Sequence, residues 1–331
     1  MAKHWLWAGA SLGLILQVSG TAGATEALAV AIEPVEQLAI PFAPPLDQDL
    51  RYDLVVTKSS SNKGRSSVRL EQKLRFVHTE GGYRLTITML RVDVAGKDAI
   101  ALAKMTGATP DFLRASFGPY DLNLDTNGAV LAMGDWLSLK AALTSSTADM
   151  SKLLEPDPAK QVVAREVANG VAAQFSGLSA EDAPYLLVKG WPSVLGYAGV
   201  EGEAGKSYPI NGELPPGLMP MPLPVQGTFT LSREGNGILH YAEKTEPDRK
   251  AFAAGMQSVL AGISASWPTE QQQKLRSAAA AFERTTMTDV TEMRLDARTG
   301  MVVSARIARE ISGSPGEKAS DTIEIRRIDL Q

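Results

Sequence analysis

Histidine and cysteine are the side chains that most often hold catalytic metals, and this chain is poor in both. It has no cysteine and three histidines, of which His4 lies in the N-terminal segment and His78 and His240 lie far apart in the rest of the chain. A catalytic zinc site takes three protein ligands, often including two histidines one helical turn apart. Neither His78 nor His240 has such a partner. The sequence therefore predicts no metal site.

Carboxylates are the second group of side chains that can carry catalysis. Asp121 and Asp125 lie in one part of the chain, and Glu243 and Glu246 lie in another. Two acids that flank a glycosidic bond are the machinery of glycoside hydrolases. Acidic side chains are much commoner in turns and on the solvated faces of strands. We interpret the four residues in that way and predict no catalytic residue among them.

Motifs for an activated serine or a bound nucleotide are incomplete. A near match to the nucleophile elbow Gly-x-Ser-x-Gly begins at Gly262, but Ser266 stands where the second glycine is required. Glycine pairs at 196–199 and 202–205 lead towards a proline-rich stretch, whereas a dinucleotide-binding turn joins a strand to a helix. The sequence therefore predicts no cofactor and favours a protein that is not an enzyme, with an unrecognised hydrolase as an alternative.

Residues 1–24 predict where the protein works. Lys3 precedes an apolar stretch at 6–18, and small residues lead up to Ala24. The stretch is too short to cross about 30 Å of hydrocarbon, and the pattern is that of a cleaved secretory signal peptide. Ala22, Gly23 and Ala24 offer small side chains to the cleaving peptidase, so we expect cleavage after Ala24. No cysteine is present to carry a lipid anchor. The product should be a soluble periplasmic protein that does not span the membrane.

Composition excludes a further class of function. The formal net charge of −4 at pH 7 provides no basic surface of the kind that nucleic acid binding requires. A chain without cysteine has no disulfide, so its stability must come from packing. At this length the mature chain can bury enough surface for that.

Alternation of apolar and polar residues is the strongest structural signal in the chain. One stretch alternates from Val68 to Phe76 and another from Tyr83 to Met89, with Gly81 and Gly82 between them. A period of two predicts antiparallel strands with one wet face, joined here by a tight turn. Other strands are predicted at 50–58, 229–233, 238–244, 286–295, 301–311 and 322–328.

Two turns share one chemistry in distant parts of the chain. Asp125 is followed by Gly128, and Asp296 is followed by Gly300. An aspartate can accept a hydrogen bond from the backbone two residues on, and glycine can take the left-handed conformation. The pattern predicts a hairpin at each site. It offers too few oxygen ligands for calcium.

Helical periodicity interrupts the strands at about 135–199 and 248–284. Asp135 is a cap for a helix extending to residue 154, Asp157 starts a second helix, and Ser179 starts a third. The later block predicts helices at 248–265 and 269–284. The fold class is therefore α+β. We expect a curved antiparallel sheet of about ten or eleven strands, half-open and barrel-like, with two helical insertions packed on one face.

Two connectors accompany a single predicted domain at 46–331. Residues 25–45 are expected to form an extended, poorly ordered lead-in. Residues 209–224 are dense in proline, which excludes a helix or a central strand. The favoured interpretation is an ordered loop across the end of the sheet. The functional alternative is a mobile flap, because Met219 and Met221 are adaptable apolar side chains.

Two resemblances can be named at this point. Pro41-Phe42-Ala43-Pro44-Pro45, followed by Leu50-Arg51-Tyr52 and the first hairpin, resembles the opening of a family of exported Gram-negative proteins with no assigned activity. The order of strands and helices is similar to that of the half-open barrels of the LolA/LolB/LppX-like group. The second resemblance implies a curved sheet around lid helices that carries lipid or lipoprotein acyl chains. It transfers no motif residue.

The expected function is non-catalytic. The sequence favours an exported binding or interaction module whose partner is an envelope protein or a lipid. A LolA-like carrier of lipid or acyl chains is the alternative, and a carrier requires an apolar space between sheet and helices. Its predicted lining comes from the best-defined hairpin and the proline-rich segment, namely Leu74, Phe76, Tyr83, Leu85, Ile87, Met89, Met219 and Met221.

Overall fold

An antiparallel sheet of eleven strands accounts for most of the computed structural model, which describes residues 36–61, 64–95, 118–145, 177–188, 190–214, 223–263, 285–313 and 318–329. A second, two-stranded sheet lies beside it. The strands are β1 (Gln37–Ala39), β2 (Asp49–Ser60), β3 (Gly64–Thr79), β4 (Gly82–Ala95), β5 (Tyr120–Leu124), β6 (Val130–Met133), β7 (Glu201–Glu203), β8 (Ser207–Leu214), β9 (Leu223–Glu234), β10 (Ile238–Pro247), β11 (Thr286–Asp296), β12 (Val302–Ser312) and β13 (Lys318–Arg327).

The order of the large sheet brings its first and last strands in the sequence together. It runs β6-β5-β4-β3-β2-β13-β12-β11-β10-β9-β8. All neighbours follow one another along the chain except β2 and β13, which pair antiparallel with Leu54 opposite Ile325. Among the residues described, β6 and β8 are the outer strands and the sheet is not closed. The prediction of a large, open antiparallel sheet is confirmed, and the described part of the chain is mostly sheet.

Alternation gives the sheet two different faces, as the sequence predicts. In β2, Leu50, Tyr52 and Leu54 are at most 2% exposed, whereas Arg51 between them is exposed. We call the face that carries these buried side chains the inner face and the opposite one the outer face. Gln72 interrupts the apolar alternation of β3, yet it is only 4% exposed. Its side-chain oxygen accepts a hydrogen bond of 2.7 Å from the indole of Trp191, which satisfies both buried groups.

Four helices lie within the described residues: α1 (Trp136–Ser145), α2 (Ala183–Leu187), α3 (Trp191–Leu195) and α4 (Arg249–Ile263). The helix predicted from Ser179 begins later, at Ala183 with Asp182 as its N-cap, and the hydroxyl of Ser179 accepts the backbone N–H of Asp182 at 3.1 Å in the turn before it. Gly190, with φ 78°, separates α2 from α3, and Pro192 lies in the first turn of α3. The continuation of the first helix to residue 154 and the helices predicted from Asp157 and at 269–284 lie outside the described residues.

The lead-in expected to be poorly ordered is part of the core from residue 36 onward. Gln37–Ala39 pairs with Glu201–Glu203, and the side chains of Leu38 and Ile40 are each 3% exposed. The backbone N–H of Ile40 also donates to the carbonyl of Val200 at 3.0 Å. Apolar side chains among the prolines make these contacts, and the sequence alone gave no indication of the strand they would meet.

The proline-rich segment also differs from the loop expected at 209–224. Residues from Pro209 to Leu214 belong to β8, which pairs with the beginning of β9 from Leu223. Proline is tolerated there because β8 is an outer strand of the described sheet, where a missing backbone N–H breaks no inner ladder. Residues 215–222, with Met219 and Met221, lie outside the described residues.

Candidate functional site

The predicted lining residues of β3 and β4 lie on the inner face and pack in the main core. Leu74, Phe76, Leu85 and Ile87 are each at most 1% exposed. Tyr83 and Met89 are half-buried against the same core. The other two predicted lining residues, Met219 and Met221, are not in the described ranges. This part of the inner face, which we call the packed half, is filled by side chains of the protein itself.

Aromatic side chains from outside the large sheet fill the packed half. The ring of Phe42 makes edge contacts with Phe76 and Tyr83, with ring centroids 6.1 and 5.2 Å apart. The ring of Trp191 makes a similar contact with Tyr52 at 4.8 Å. Trp191 is itself 1% exposed. Residues 36–45 and α3 therefore occupy the space in which the sequence placed an acyl chain.

A second region of the inner face is aliphatic and only half-buried. Five β-branched residues lie directly opposite one another on five successive strands, from β12 through β13, β2 and β3 to β4. All five are half-buried rather than fully enclosed. We call them the aliphatic row: Ile307, Ile323, Val56, Val68 and Val94.

The aliphatic row continues into a polar cluster on the next two strands. Thr291 of β11 lies opposite Ile307, and Glu243 of β10 lies opposite Thr291. The hydroxyl of Tyr241 donates to the Glu243 carboxylate at 2.6 Å, and, after burial, the same carboxylate contributes to raising the pKa of Tyr197. Four residues therefore form a polar cluster at one end of the aliphatic row: Tyr197, Tyr241, Glu243 and Thr291.

The two tyrosines of the polar cluster keep their hydroxyl protons. Burial, followed by neighbouring groups that include the Glu243 carboxylate, raises the pKa of Tyr241 and of Tyr197 well above the usual range for a phenol. Both phenols are therefore protonated at physiological pH. Their rings are also in contact, because the centroids of Tyr197 and Tyr241 lie 4.5 Å apart with the ring planes tilted by 49°. The ring of Phe229 stacks on Tyr241 at 5.7 Å.

An ion pair stands beside the polar cluster on the inner face. The guanidinium of Arg309 donates two hydrogen bonds of 2.7 Å to the carboxylate of Asp289. These hydrogen bonds raise the pKa of Arg309, so its positive charge is secure. Asp321 lies opposite Arg309 on β13 and is exposed. The inner face thus changes from aliphatic to polar both across its strands and along them.

The acidic residues considered as glycosidase carboxylates do not meet. Asp121 accepts a hydrogen bond from Thr86 at 2.6 Å on β5, and Asp125 accepts backbone N–H groups in its turn. Glu246 forms an ion pair with Lys244 at 3.3 Å. Glu243 lies on the inner face and Glu246, three residues on, lies on the outer face. Glu243 is the one of the four that lies in the polar cluster.

The two histidines considered as metal ligands are also far apart. His78 lies on β3 and His240 on β10, with four strands between them in the sheet. Over the stretches that the structure describes, no three histidine, cysteine or acidic side chains come together as metal ligands. In the same stretches no helix combines the length and the apolar character needed to cross a membrane.

Two open clefts lie on the outer face. One, of about 740 Å³, is formed by β8, β9, β10 and the start of α4, and Lys244, Arg249 and Lys250 contribute to its lining. The other, of about 540 Å³, lies over β10 to β13 and β2 to β3. We call it the arginine cleft because four arginines line it: Arg69, Arg294, Arg306 and Arg326. The sequence analysis identified neither cleft, because the residues of each come from several distant strands.

Comparisons with known proteins leave the family open. Neither a family model nor a curated protein matches this chain. A solved structure of lipovitellin, described by its lipid–protein interactions, is similar over 86% of this chain with 10% identity and a TM-score of 0.40, and the chain spans 25% of that protein. A porin-like protein from Bacteroides uniformis is similar over 87% of this chain and all of its own, with 9% identity and a TM-score of 0.16. Function has to come from the residues of the site.

Proposed function

We propose that this chain is a non-catalytic binding protein of the periplasm that holds an apolar ligand, such as the acyl chain of a lipid, along the aliphatic row. The observation that carries the proposal is the row itself. Five β-branched side chains lie side by side on five strands and are left half-buried. Leaving apolar surface in water costs about 25 cal/mol per Å², so an uninterrupted row of this kind favours a surface that is covered in use.

The dimensions of the aliphatic row suit an acyl chain. Neighbouring strands are about 4.8 Å apart, so five strands place the end side chains of the row about 19 Å from each other. One leaflet of a bilayer has a hydrocarbon thickness of about 15 Å, half of the full core. An extended acyl chain lying across the strands would therefore contact every residue of the row.

The polar cluster gives such a ligand a direction. An acyl chain along the row would carry its polar head towards Thr291 and Glu243, which continue the same row. The hydroxyl of Tyr241 already donates to Glu243, and the remaining lone pairs of that carboxylate can accept hydrogen bonds from a ligand. A head group that donates hydrogen bonds, such as a hydroxyl or an amine, fits this site better than a carboxylate.

The proposal is tested by titrating the mature protein, purified without detergent, with straight-chain alcohols of increasing length. The binding free energy should become more favourable by up to about 0.8 kcal/mol for each added methylene, and native mass spectrometry of the untreated protein should detect a co-purified lipid. Val56→Asp places a charge in the row and should abolish binding. Thr57→Asp, one residue along on the outer face, should leave it unchanged.

A second candidate is favoured by the packed half of the inner face. Phe42 and Trp191 fill that region with the protein's own side chains. A filled core of this kind is also expected of a non-catalytic protein that holds no internal ligand and interacts with an envelope partner through its outer clefts. The titration separates the two candidates. No co-purified mass and no dependence of affinity on chain length would leave the interaction protein as the function to keep.

A further inference from the structure

The arginine cleft lies on the face of the sheet opposite the aliphatic row and has no part in the binding of an apolar ligand proposed above. We propose that it is a second binding site, which takes an oxyanion of the phosphate class over Ser304. The cleft has a volume of about 540 Å³, which is ample for such a group. The proposal goes beyond an apolar ligand on the inner face and stands independently of it.

The register of the sheet surrounds Ser304 with arginines. Arg294 on β11 and Arg326 on β13 are the residues directly opposite Ser304 on its two neighbouring strands. Opposite residues on one face have β-carbons about 5 Å apart. Arg306 lies two residues further along the same strand, about 7 Å away. Three long guanidinium side chains therefore stand around one short hydroxyl, and the short side chain is what leaves the space between them open.

Two of the charges that line the cleft are already neutralised. Asp53 forms an ion pair of 2.8 Å with Arg69. Arg294 forms one of 2.7 Å with Glu234, a residue of β9. Each pair holds its arginine at the side of the cleft. Neither pair involves Arg306 or Arg326, although Asp53 lies opposite Arg326 in the register.

The remaining charges favour an anion beside Ser304. Neither Arg306 nor Arg326 forms an ion pair within 4.0 Å with any residue in the part of the chain that the structure describes, although Glu292 and Glu324 lie opposite Arg306 in the register. Arg326 lies opposite Ser304, whereas the two glutamates lie at the diagonal positions, further from the serine. Two unpaired guanidinium groups and two carboxylates remain, and the position above Ser304 is positive because Arg326 lies nearer to the serine than either glutamate does.

The donor set suits phosphate better than a carboxylate. Each guanidinium presents a planar fork that can bind two oxygens. The two unpaired forks, of Arg306 and Arg326, and the Ser304 hydroxyl provide more donors than the two oxygens of one carboxylate can accept, while a phosphate group has oxygens enough for all of them. His240, opposite Arg294 on β10, adds a ring nitrogen at the edge of the site.

The experiment uses the full mature protein at low ionic strength, titrated calorimetrically with inorganic phosphate. Arg326→Gln should weaken binding roughly tenfold or more, since a hydrogen bond to a charged group is lost. Ser304→Asp should abolish binding while keeping or raising the melting temperature, because the new carboxylate takes the place of the oxyanion. The matched control is Arg84→Gln, which removes the same charge from an exposed outer-face position on β4, opposite Val77 and Asn123, and should leave binding unchanged.

Binding to lipid vesicles distinguishes a phosphate group on a lipid from one on a free compound. Binding to vesicles that contain phosphatidylglycerol, with none to phosphatidylcholine alone and with competition by inorganic phosphate, would assign the site to a lipid head group. Binding of phosphate without binding to either vesicle would assign it to a free phosphate compound. The proposal is overturned if neither probe binds, or if Arg84→Gln weakens binding as much as Arg326→Gln.

Discussion

Gly128 lies against the ring of Phe42, so closely that a β-carbon on the glycine would be 2.4 Å from Cε2 of the ring. In the turn formed by Asp296 and Gly300, the glycine lies against the residue before Phe42. A β-carbon on Gly300 would be 1.8 Å from the carbonyl oxygen of Pro41. The two turns therefore pack against the segment at 36–45, at Pro41 and Phe42. Through Phe42 they connect that segment to Phe76 and the packed half of the inner face.

Gly128→Ala and Gly300→Ala should each lower the free energy of unfolding by more than about 1 kcal/mol. The backbone of both glycines is left-handed, with φ 83° and 70°, and the added methyl group would also collide with Phe42 or Pro41. Urea unfolding measures the loss. Gly81→Ala is the control, since a β-carbon there meets nothing within 4 Å. Equal losses of stability at all three positions would contradict the packing of Gly128 and Gly300 against Phe42 and Pro41.

Ile87→Asp should destabilise the protein by roughly 3 kcal/mol or more, because it buries a charge that has no partner. Ile87 is 1% exposed and lies opposite Leu74 and Tyr120. Thr88→Asp, one residue along on the outer face, should change stability by less than about 1 kcal/mol. Thermal unfolding followed by circular dichroism compares the variants. Equal melting temperatures would mean that the register of β4 is wrong.

Gln72→Leu should lower the free energy of unfolding by about 1–3 kcal/mol, because the buried indole N–H of Trp191 loses its acceptor. Trp191→Phe removes the donor and leaves the Gln72 oxygen unsatisfied. The double variant should be less destabilised than the sum of the two single variants, since it removes both polar partners together. A double-mutant cycle by urea unfolding measures this coupling, and strict additivity would argue against the hydrogen bond.

Asp296 should make stability depend on pH. Partial burial acts to raise the pKa of its carboxyl group, but the backbone N–H groups of Arg298 and Thr299 donate to it, and the net shift is downward. A group with a lowered folded-state pKa contributes stability above its unfolded pKa, and that contribution is lost as pH falls through the folded pKa.

The difference in unfolding free energy between the wild type and Asp296→Asn should therefore be largest near neutral pH. It should shrink below about pH 4, the range in which an unperturbed aspartate titrates. Urea unfolding at a series of pH values measures it. A difference that stays constant down to pH 2 would show that the charge of Asp296 does not stabilise its turn.

The mature protein should be recovered from the soluble periplasmic fraction of a Gram-negative host with Thr25 as its first residue. The reasons are the charged, apolar and small-residue order of residues 1–24 and the absence of cysteine. Cell fractionation followed by N-terminal sequencing tests both statements. An uncleaved chain in the inner membrane would show that the segment is an anchor instead of a signal peptide.

Local patterns in the sequence predicted those features that depend on neighbours along the chain. The alternation around Ile87 assigned side chains to the correct face, because a strand repeats every two residues. Asp125 and Asp296 form the expected turns, each accepting backbone N–H groups from residues two or more positions on. The turn at Ser179 depends on an equally local contact, since its partner Asp182 is only three residues away.

Local patterns could not predict contacts between residues that are far apart in the sequence. That β2 pairs with β13 decides that Val56 meets Ile323, and so creates the aliphatic row out of residues that are unremarkable one strand at a time. Ser304 became a candidate site only when the register placed Arg294 and Arg326 on either side of it. Alternation states which residues of a strand share a face, but the choice of neighbouring strands depends on how the whole inner face packs. The sequence by itself therefore determined the faces and the turns, and the tertiary structure decided which side chains meet.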